Sequence, residues 1–301
     1  MAIAVMGGTG FIGTRLVEQL AAQGEEIKLF SRDPHRASRK FPKVFFPQVQ
    51  VAGYDNWKEE LADCRAVVNL AGASVAGRRW TRQVKQEILD SRVQTTKRLA
   101  ETLKQVSSRP TVVINASAIG YYGTDPHKTF DEYSFAGRGF LAEVCQAWEK
   151  EAEVIADLGI RLVKLRIGVV LGYGGALARI LPIFRAGAGG VIGSGKQWFS
   201  WIHRDDLVRL ISFAIANPNL QGAVNGTAPE PVTNAEFTKA LAEVLSCPAV
   251  FPVPAIALQL LYGESASIIL EGQKVLPLKA QSNGFQFTYP DIRSALKQIL
   301  Q

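Results

Sequence analysis

The sequence predicts an α/β protein: a doubly wound parallel sheet with a smaller C-terminal lobe. Two observations carry this. Through the first 170 residues short apolar runs alternate with helix-length amphipathic stretches, and several of the runs are rich in Val and Ile on both faces. Strands covered on both sides by helices need that composition. Strand–helix–strand alternation over such a distance implies right-handed crossovers within one parallel sheet. Of the 301 residues 47% are hydrophobic and 20% charged, which excludes a collagen-like, wholly disordered or low-complexity chain.

Taken in order, Ala2–Met6, Ile27–Phe30, Val49–Val51, Ala66–Leu70, Thr111–Ala116 and Leu162–Val170 read as strands. Between them Ile12–Gln23, Trp57–Ala62, Trp80–Val106 and Phe140–Leu158 read as helices. The third of these places Val84, Ile88, Leu89, Val93 and Leu99 in a helical stripe. After Val170 the texture changes. A glycine-rich segment, Gly172–Gly195, holds a short helix near Ala176–Arg185, followed by a helix at Asp205–Ala216 and a strand at Ala223–Gly226 that returns to the main sheet. Asn234–Leu245 and Ile256–Leu261 read as helices, and Pro290-Asp-Ile-Arg293 opens a closing one with Pro near its first turn. The expected division is a nucleotide-binding domain over 1–170, completed by 204–226, and a smaller substrate or partner lobe over 171–301.

The net charge of +7 favours anionic partners. The basic residues are scattered apart from Arg32–Lys40 and Arg78–Lys85, without an aromatic-interleaved tract or a helix-turn-helix signature, so no nucleic-acid partner is expected. Cys64, Cys145 and Cys247 are odd in number and widely spaced, which argues against a disulfide framework and a zinc cage, and no metal is expected. Met1 runs straight into Ala2–Met6 with no charged n-region, so no signal peptide is expected. The most membrane-like stretch, 249–263, is interrupted by Pro252 and Pro254 and falls short of the ~18–20 apolar residues of a spanning helix. These observations predict a cytoplasmic protein without a membrane span.

The strongest motif is Gly7-Gly8-Thr9-Gly10-Phe11-Ile12-Gly13, which follows the first strand and opens the first helix. That context is the one a dinucleotide fingerprint requires. Gly7 takes the tight turn, Gly10 lets backbone approach a pyrophosphate, and Gly13 lets helix and strand pack closely. Unpaired amides and the positive end of the helix dipole then face the phosphates. The fold class is therefore of the Rossmann type.

The end of the second strand chooses the cofactor. An NAD site places Asp or Glu there, ~20 residues beyond the turn, on the ribose hydroxyls. Here Phe30 is followed by Ser31 and Arg32. A guanidinium offers a planar fork to a 2′-phosphate and serine a hydroxyl, whereas a carboxylate would repel it. Asp33, ahead of Pro34, reads as turn chemistry. The expectation is NADP(H).

These residues, together with Asn69-Leu-Ala-Gly-Ala73 and Trp201-Ile-His-Arg-Asp-Asp206, resemble an extended short-chain dehydrogenase/reductase. More narrowly the chain resembles the atypical nucleoside-diphosphate-sugar epimerase-like group, which includes plant and cyanobacterial members linked to plastid or cell division. The matching motifs are Arg166-Ile-Gly-Val-Val-Leu-Gly172, Ile192-Gly-Ser-Gly195, Asn225-Gly-Thr-Ala-Pro229, Thr233-Asn-Ala-Glu-Phe237 and Leu270-Glu-Gly-Gln-Lys-Val275. The resemblance implies that Leu70 and Ala71 lie beside the adenosine and pyrophosphate, that Glu87 and Arg92 on the long helix reach the cofactor, and that Val170 lies near the nicotinamide.

Active short-chain dehydrogenases carry Ser or Thr at the end of the fifth strand and Tyr-x-x-x-Lys on the next helix. At i and i+4 the two share a helix face, so the ammonium can lower the phenol's pKa. Of seven tyrosines only Tyr54 has a lysine four residues on, Lys58, and it precedes the fourth strand. On the expected helix the pairs available are Phe140/Val144 or Leu141/Cys145, neither capable of that chemistry. Ser117 stands where the assisting hydroxyl belongs, with Tyr121 and Tyr122 following. Cys145 reads as a core cysteine and His203 as the start of a helix with Asp205 near its cap. Gly190-Val-Ile-Gly-Ser-Gly195-Lys196 imitates a nucleoside-triphosphate loop, but Gln197 stands where Ser or Thr must hold magnesium. Lys196, Arg179 and Arg185 remain candidates for an anionic substrate.

Two functions follow. One is an NADP(H)-dependent oxidoreductase or epimerase-like enzyme acting on a small, anionic or nucleotide-linked substrate with a non-standard acid or base. The other is a catalytically quiet NADP(H)-binding regulator that works through a protein partner such as the division machinery. No catalytic residue is assigned from the sequence.

Overall fold

The computed structural model describes all 301 residues. The chain opens β1 (Ala2–Met6), α1 (Phe11–Ala22), β2 (Ile27–Phe30), α2 (Pro34–Lys40), β3 (Val49–Ala52), α3 (Trp57–Ala62) and β4 (Cys64–Asn69). It continues α4 (Arg82–Gln105), β5 (Val112–Ala118), a 3₁₀ turn at Ile119–Tyr122, β6 (Asp125–Phe130), α5 (Phe140–Ala156), β7 (Arg161–Ile167) and β8 (Val169–Leu171). There follow α6 (Leu177–Arg185), β9 (Trp198–Phe199), β10 (Trp201–His203), α7 (Arg204–Ala216), β11 (Gly222–Gly226), β12 (Val232–Thr233) and α8 (Asn234–Leu245). The chain closes with α9 (Ala255–Tyr262), α10 (Ser267–Leu270), β13 (Gln273–Val275), α11 (Leu278–Ser282) and α12 (Ile292–Leu300). No helix is long and apolar enough to cross a membrane.

Seven strands form one parallel sheet in the order β11-β7-β5-β4-β1-β2-β3. The sheet is Rossmann-like, and β11 completes its far edge after the chain has left it. Alternation along β1 explains the two helical layers. Ile3 and Val5 join Leu16, Val17 and Leu20 of α1 and Leu207 and Ile211 of α7 in one core. Ala2, Ala4 and Met6 face the other way, onto Leu99 and Leu103 of α4 and Ile155 of α5. Each large aliphatic side chain buried this way stabilises the fold by roughly 1.5–3 kcal/mol. A third core, around Trp201, Leu181, Phe184, Phe237, Leu241 and Leu296, joins α6, α8 and α12 beside the sheet.

The structure corrects the sixth strand. The expected run Leu162–Val170 stops at Ile167, because Gly168 carries the chain against β10: a Cβ there would lie 2.7 Å from the Ser200 carbonyl oxygen. Val170 therefore sits in the three-residue β8, paired with Ile202 of β10, and not at the end of a sheet strand. α2 was not legible as a helix. Its seven residues are too few for an apolar period, and Asp33 starts it by accepting the Arg36 amide at 2.9 Å.

Candidate functional site

Met6 is in register with both Phe30 and Asn69, so Gly7, Ser31 and Leu70 leave the sheet side by side at its carboxyl edge. The strand order reverses between β1 and β4, where open α/β sheets form their ligand crevice. Gly7 has φ +74°, and a Cβ on it would stand 2.8 Å from the Leu70 carbonyl carbon and oxygen. A Cβ on Gly13 would stand 2.3 Å from the Gly7 oxygen and 2.6 Å from Gly8 Cα. The turn is thus pressed flat against α1. Gly10 caps α1 without a side-chain hydrogen bond, and no acidic residue occupies the first turn, so neither a cap nor a first-turn carboxylate offsets the positive helix end.

At the end of β2, Ser31 Oγ accepts the Asp33 amide at 3.1 Å, and the Asp33 carboxylate is turned into α2 as its cap. Arg32 is exposed. Burial pushes the Tyr54 phenol above its ordinary range, and the charges of Arg32 and Arg98 oppose it. Lys40, at the end of α2, donates to the Thr9 carbonyl at 3.0 Å and adds a cation over the turn. Sequence reading missed Lys40 because the helix that delivers it was not legible.

The β4 end is held by a buried amide cluster. Asn69 Nδ2 donates to Asn115 Oδ1 at 2.7 Å and to Thr96 Oγ1 at 3.2 Å, while its Oδ1 accepts the Ala71 amide at 3.2 Å. Leu70 and Ala71 are oriented by that grip. Arg92 is mostly buried: its Nη2 donates to Ala73 O at 3.0 Å, its Nη1 to Ile88 O at 2.9 Å, and its guanidinium lies 5.2 Å from the Trp148 ring centroid. Burial lowers its pKa. Glu87 is on the outer surface in a two-pronged pair with Arg78, at 2.9 and 3.1 Å. Arg92 therefore touches the loop after β4, whereas Glu87 is held by another partner.

At the end of β5 the structure brings Ser117, Tyr121 and Tyr122 together and occupies two of them. Ser117 Oγ donates to Glu149 Oε1 at 2.7 Å, inside the protein. Arg166 donates to both Glu149 oxygens at 2.8 Å and to the Tyr122 hydroxyl at 3.0 Å. Tyr122 in turn donates to Asn225 Oδ1 at 2.7 Å, and burial pushes its phenol up to about 12. Tyr121 lies with its ring centroid 3.4 Å from the Arg166 guanidinium carbon. Ser117 thus stands at the end of β5, where the sequence order puts the assisting hydroxyl, with its proton given to Glu149. Glu149 itself was missed: a glutamate on an amphipathic helix gives no sign in sequence that it faces inward.

Leu141 and Cys145 face the 3₁₀ turn, 3.1 and 3.8 Å from where a Cβ on Gly120 would lie. Cys145 donates to Ala118 O at 3.6 Å, and burial raises its thiol to about 11. Proton exchange of the tyrosine–lysine kind has no group here. The imitation phosphate loop is a turn under α8, with Gly195 at φ +69° and its carbonyl accepting the Ala235 amide at 2.9 Å. Arg179 lies against Gly77 on the loop before α4. No cluster of His, Cys, Asp and Glu suited to a metal is present.

The sheet order, the glycine turn and the paired lobe define an extended short-chain dehydrogenase/reductase of the atypical, epimerase-like kind. The chain belongs to the NAD dependent epimerase/dehydratase family, whose model it matches over residues 3–225, and it matches a domain of unknown function, DUF1731, over 253–299. It is 46% identical over 304 residues to the epimerase family protein SDR39U1 homolog, chloroplastic, of Arabidopsis thaliana, covering 100% of this chain and 87% of that protein. It is 40% identical over 301 residues to the epimerase family protein YfhF of Bacillus subtilis, covering 100% and 98%. Among solved structures, human epimerase family protein SDR39U1 with NADPH superimposes with a TM-score of 0.88 at 36% identity, covering 99% of each chain.

Proposed function

We propose that the protein is an NADP(H)-binding oxidoreductase or epimerase-like enzyme acting on a small, anionic or nucleotide-linked substrate. On this reading residues 1–170 with 204–226 hold the cofactor and the remainder of 171–301 forms the substrate lobe. The observation that carries it is the close approach of Gly13 to the Gly7 carbonyl, which leaves a helix end without a side-chain cap beside a β2 terminus where Asp33 turns its carboxylate into α2. Such a cradle fits a diphosphate, and Ser31 and Arg32 fit a 2′-phosphate. Human SDR39U1, solved with NADPH, supports the choice. Bound there, NADP(H) supplies or takes up a hydride at its nicotinamide ring.

The chain's own part is to bind and orient. Gly7–Gly13 and Ser31–Arg32 hold the diphosphate and the 2′-phosphate, Leu70 and Ala71 flank the adenosine side, and Arg92 fixes the loop that follows. Val170 and Glu87 belong to the proposed cofactor set through resemblance alone. Of the hydroxyls at the β5 end, Tyr121 is the one placed to exchange a proton, since Ser117 and Tyr122 are engaged. The three free cysteines fit a reducing, cytoplasmic setting.

A second reading is favoured by Leu141 and Cys145 standing at the dyad positions: a quiet NADP(H)-binding regulator with a protein partner, as in cell division. Calorimetric titration with NADPH and NADH tests the shared premise, with NADPH expected to bind at least about 10-fold tighter. Absence of any binding at millimolar nucleotide overturns it. Stopped-flow oxidation of bound NADPH against aldehydes, ketones, quinones and nucleotide sugars then separates enzyme from regulator.

A further inference from the structure

Arg204 is the first residue of α7, where a cation meets the positive end of the helix and is disfavoured. The carboxylates that follow it are hydrogen-bonded to other groups. Asp205 is taken by Arg15 through hydrogen bonds of 2.7 and 3.1 Å. Asp206 is taken by Arg209 at 2.8 Å and by the amides of Thr288 and Tyr289 at 3.0 and 2.8 Å. Arg204 makes no ion pair, and its Nε is buried without an acceptor. The side chain as a whole is only partly buried, but a charged donor atom buried without an acceptor is costly, and an anion at this guanidinium would satisfy it.

The surroundings say which one. The Arg204 guanidinium carbon lies 5.0 Å from the centroid of the Phe11 ring, and Phe11 is the first residue of α1, within the glycine turn. Behind both runs the glycine stretch that follows β8. A Cβ on Gly172 would stand 3.0 Å from Arg204 Cβ and 3.1 Å from Phe11 Cζ, and one on Gly175 would stand 2.7 Å from the Phe11 ring. Three segments distant in sequence therefore bring a guanidinium without an ion-pair partner to the start of α1, which has no side-chain cap.

We propose that Arg204 is a ligand of the cofactor's diphosphate, a second cationic group of the cleft independent of the one that reads the 2′-phosphate; this rests on the NADP(H) reading above. A guanidinium fork matches two phosphate oxygens. The diphosphate is common to NADPH and NADH, so Arg204 adds affinity for both, whereas Arg32 discriminates between them.

The experiment is calorimetric titration of wild type, Arg204→Ala, Arg204→Lys and Arg32→Ala with NADPH, NADH and a UDP-sugar, each variant checked for its unfolding transition. Arg204→Ala is expected to weaken NADPH and NADH by the same factor, about 10- to 100-fold, with Arg204→Lys in between. Arg32→Ala is expected to weaken NADPH alone. Wild-type affinities in Arg204→Ala, or a loss confined to NADPH, overturn the proposal while leaving the cofactor reading intact. A loss confined to the UDP-sugar overturns it by moving the guanidinium to the substrate's diphosphate. Failure of wild type to bind either dinucleotide overturns both readings.

Discussion

Ser117 donates its hydroxyl to Glu149 across 2.7 Å of protein interior, and Glu149 simultaneously accepts two hydrogen bonds from Arg166. The residue that sequence order places at a reacting centre is thus a strut between β5, α5 and β7. Removing Glu149 leaves the Arg166 guanidinium buried and uncompensated, which costs about 3–5 kcal/mol. Removing the Ser117 hydroxyl takes one donor from a carboxylate that keeps two, costing about 1 kcal/mol. Urea denaturation of Glu149→Ala and Ser117→Ala should show that ordering, with NADPH affinity unchanged in Ser117→Ala. Equal losses would refute the strut.

His203 couples stability to pH. Its Nδ1 accepts the Asp205 amide at 3.0 Å as the cap of α7, so Nε2 carries the proton and donates to Gln298 Oε1 of α12 at 2.8 Å. Burial holds its pKa below the ordinary histidine value, against the opposing pull of Gln298, Asp205 and Asp206. The unfolded chain therefore binds the proton first. Stability should be complete above pH about 6.5 and fall as pH drops toward the folded-state value, by at most about 1.4 kcal/mol per pH unit. Asparagine also caps helices, so His203→Asn should flatten the slope between pH 5 and 7 in denaturation curves. An unchanged slope would assign the effect elsewhere.

How far the sequence could be read follows from these examples. β1, the glycine turn and α1 were legible because a both-face apolar run, a turn and an amphipathic period stand in succession, each with a local cause. The break at Gly168 was not, since its cause is a carbonyl of Ser200 more than thirty residues away. Ser117 and Glu149 could be placed on their elements but not with each other, and Arg204 was hidden because only the fold shows that Asp205 and Asp206 face other partners. Local chemistry is written locally; pairing across the sheet is not.

Gly13 offers a direct test of the turn. Alanine there puts a methyl 2.3 Å from the Gly7 carbonyl oxygen, a backbone atom that cannot step aside without opening the turn. Gly13→Ala should cost roughly 1–3 kcal/mol of stability as an overpacking change and should abolish the thermal shift produced by NADPH. Gly24 also has a positive φ but nothing within 4 Å of an added Cβ, so Gly24→Ala should lose stability through backbone strain and keep the shift. A retained shift in Gly13→Ala would count against the cradle.

Arg32 is exposed, so its value is to the ligand and not to the fold. Arg32→Ala should leave the unfolding midpoint of the nucleotide-free protein unchanged and raise the Kd for NADPH by about 10- to 100-fold, the range of a charge-assisted hydrogen bond. Arg32→Asp should go further and bring NADH level with NADPH, because a carboxylate binds ribose hydroxyls and repels a 2′-phosphate. Unaltered NADPH affinity in both variants would place the 2′-phosphate elsewhere, with Lys40 the next cation to change.

Cys145 decides whether α5, which carries no Tyr-x-x-x-Lys, offers a nucleophile instead. The thiol is buried, hydrogen-bonded to Ala118 O, and raised to about 11 chiefly by burial, with the nearby Glu149 charge adding to the effect and Arg92 opposing it. At pH 7.5 the thiolate is then on the order of one part in a few thousand, far from the activated cysteines of enzymes. Cys64 is likewise buried and raised to about 11, whereas Cys247 is partly exposed. Titration of the native protein with a thiol-reactive chromophore should therefore count one rapid equivalent, lost in Cys247→Ser, and three after denaturation. A second rapid equivalent that vanishes in Cys145→Ser would mean the thiol is reached by solvent and ionises, and the helix would then carry chemistry of its own.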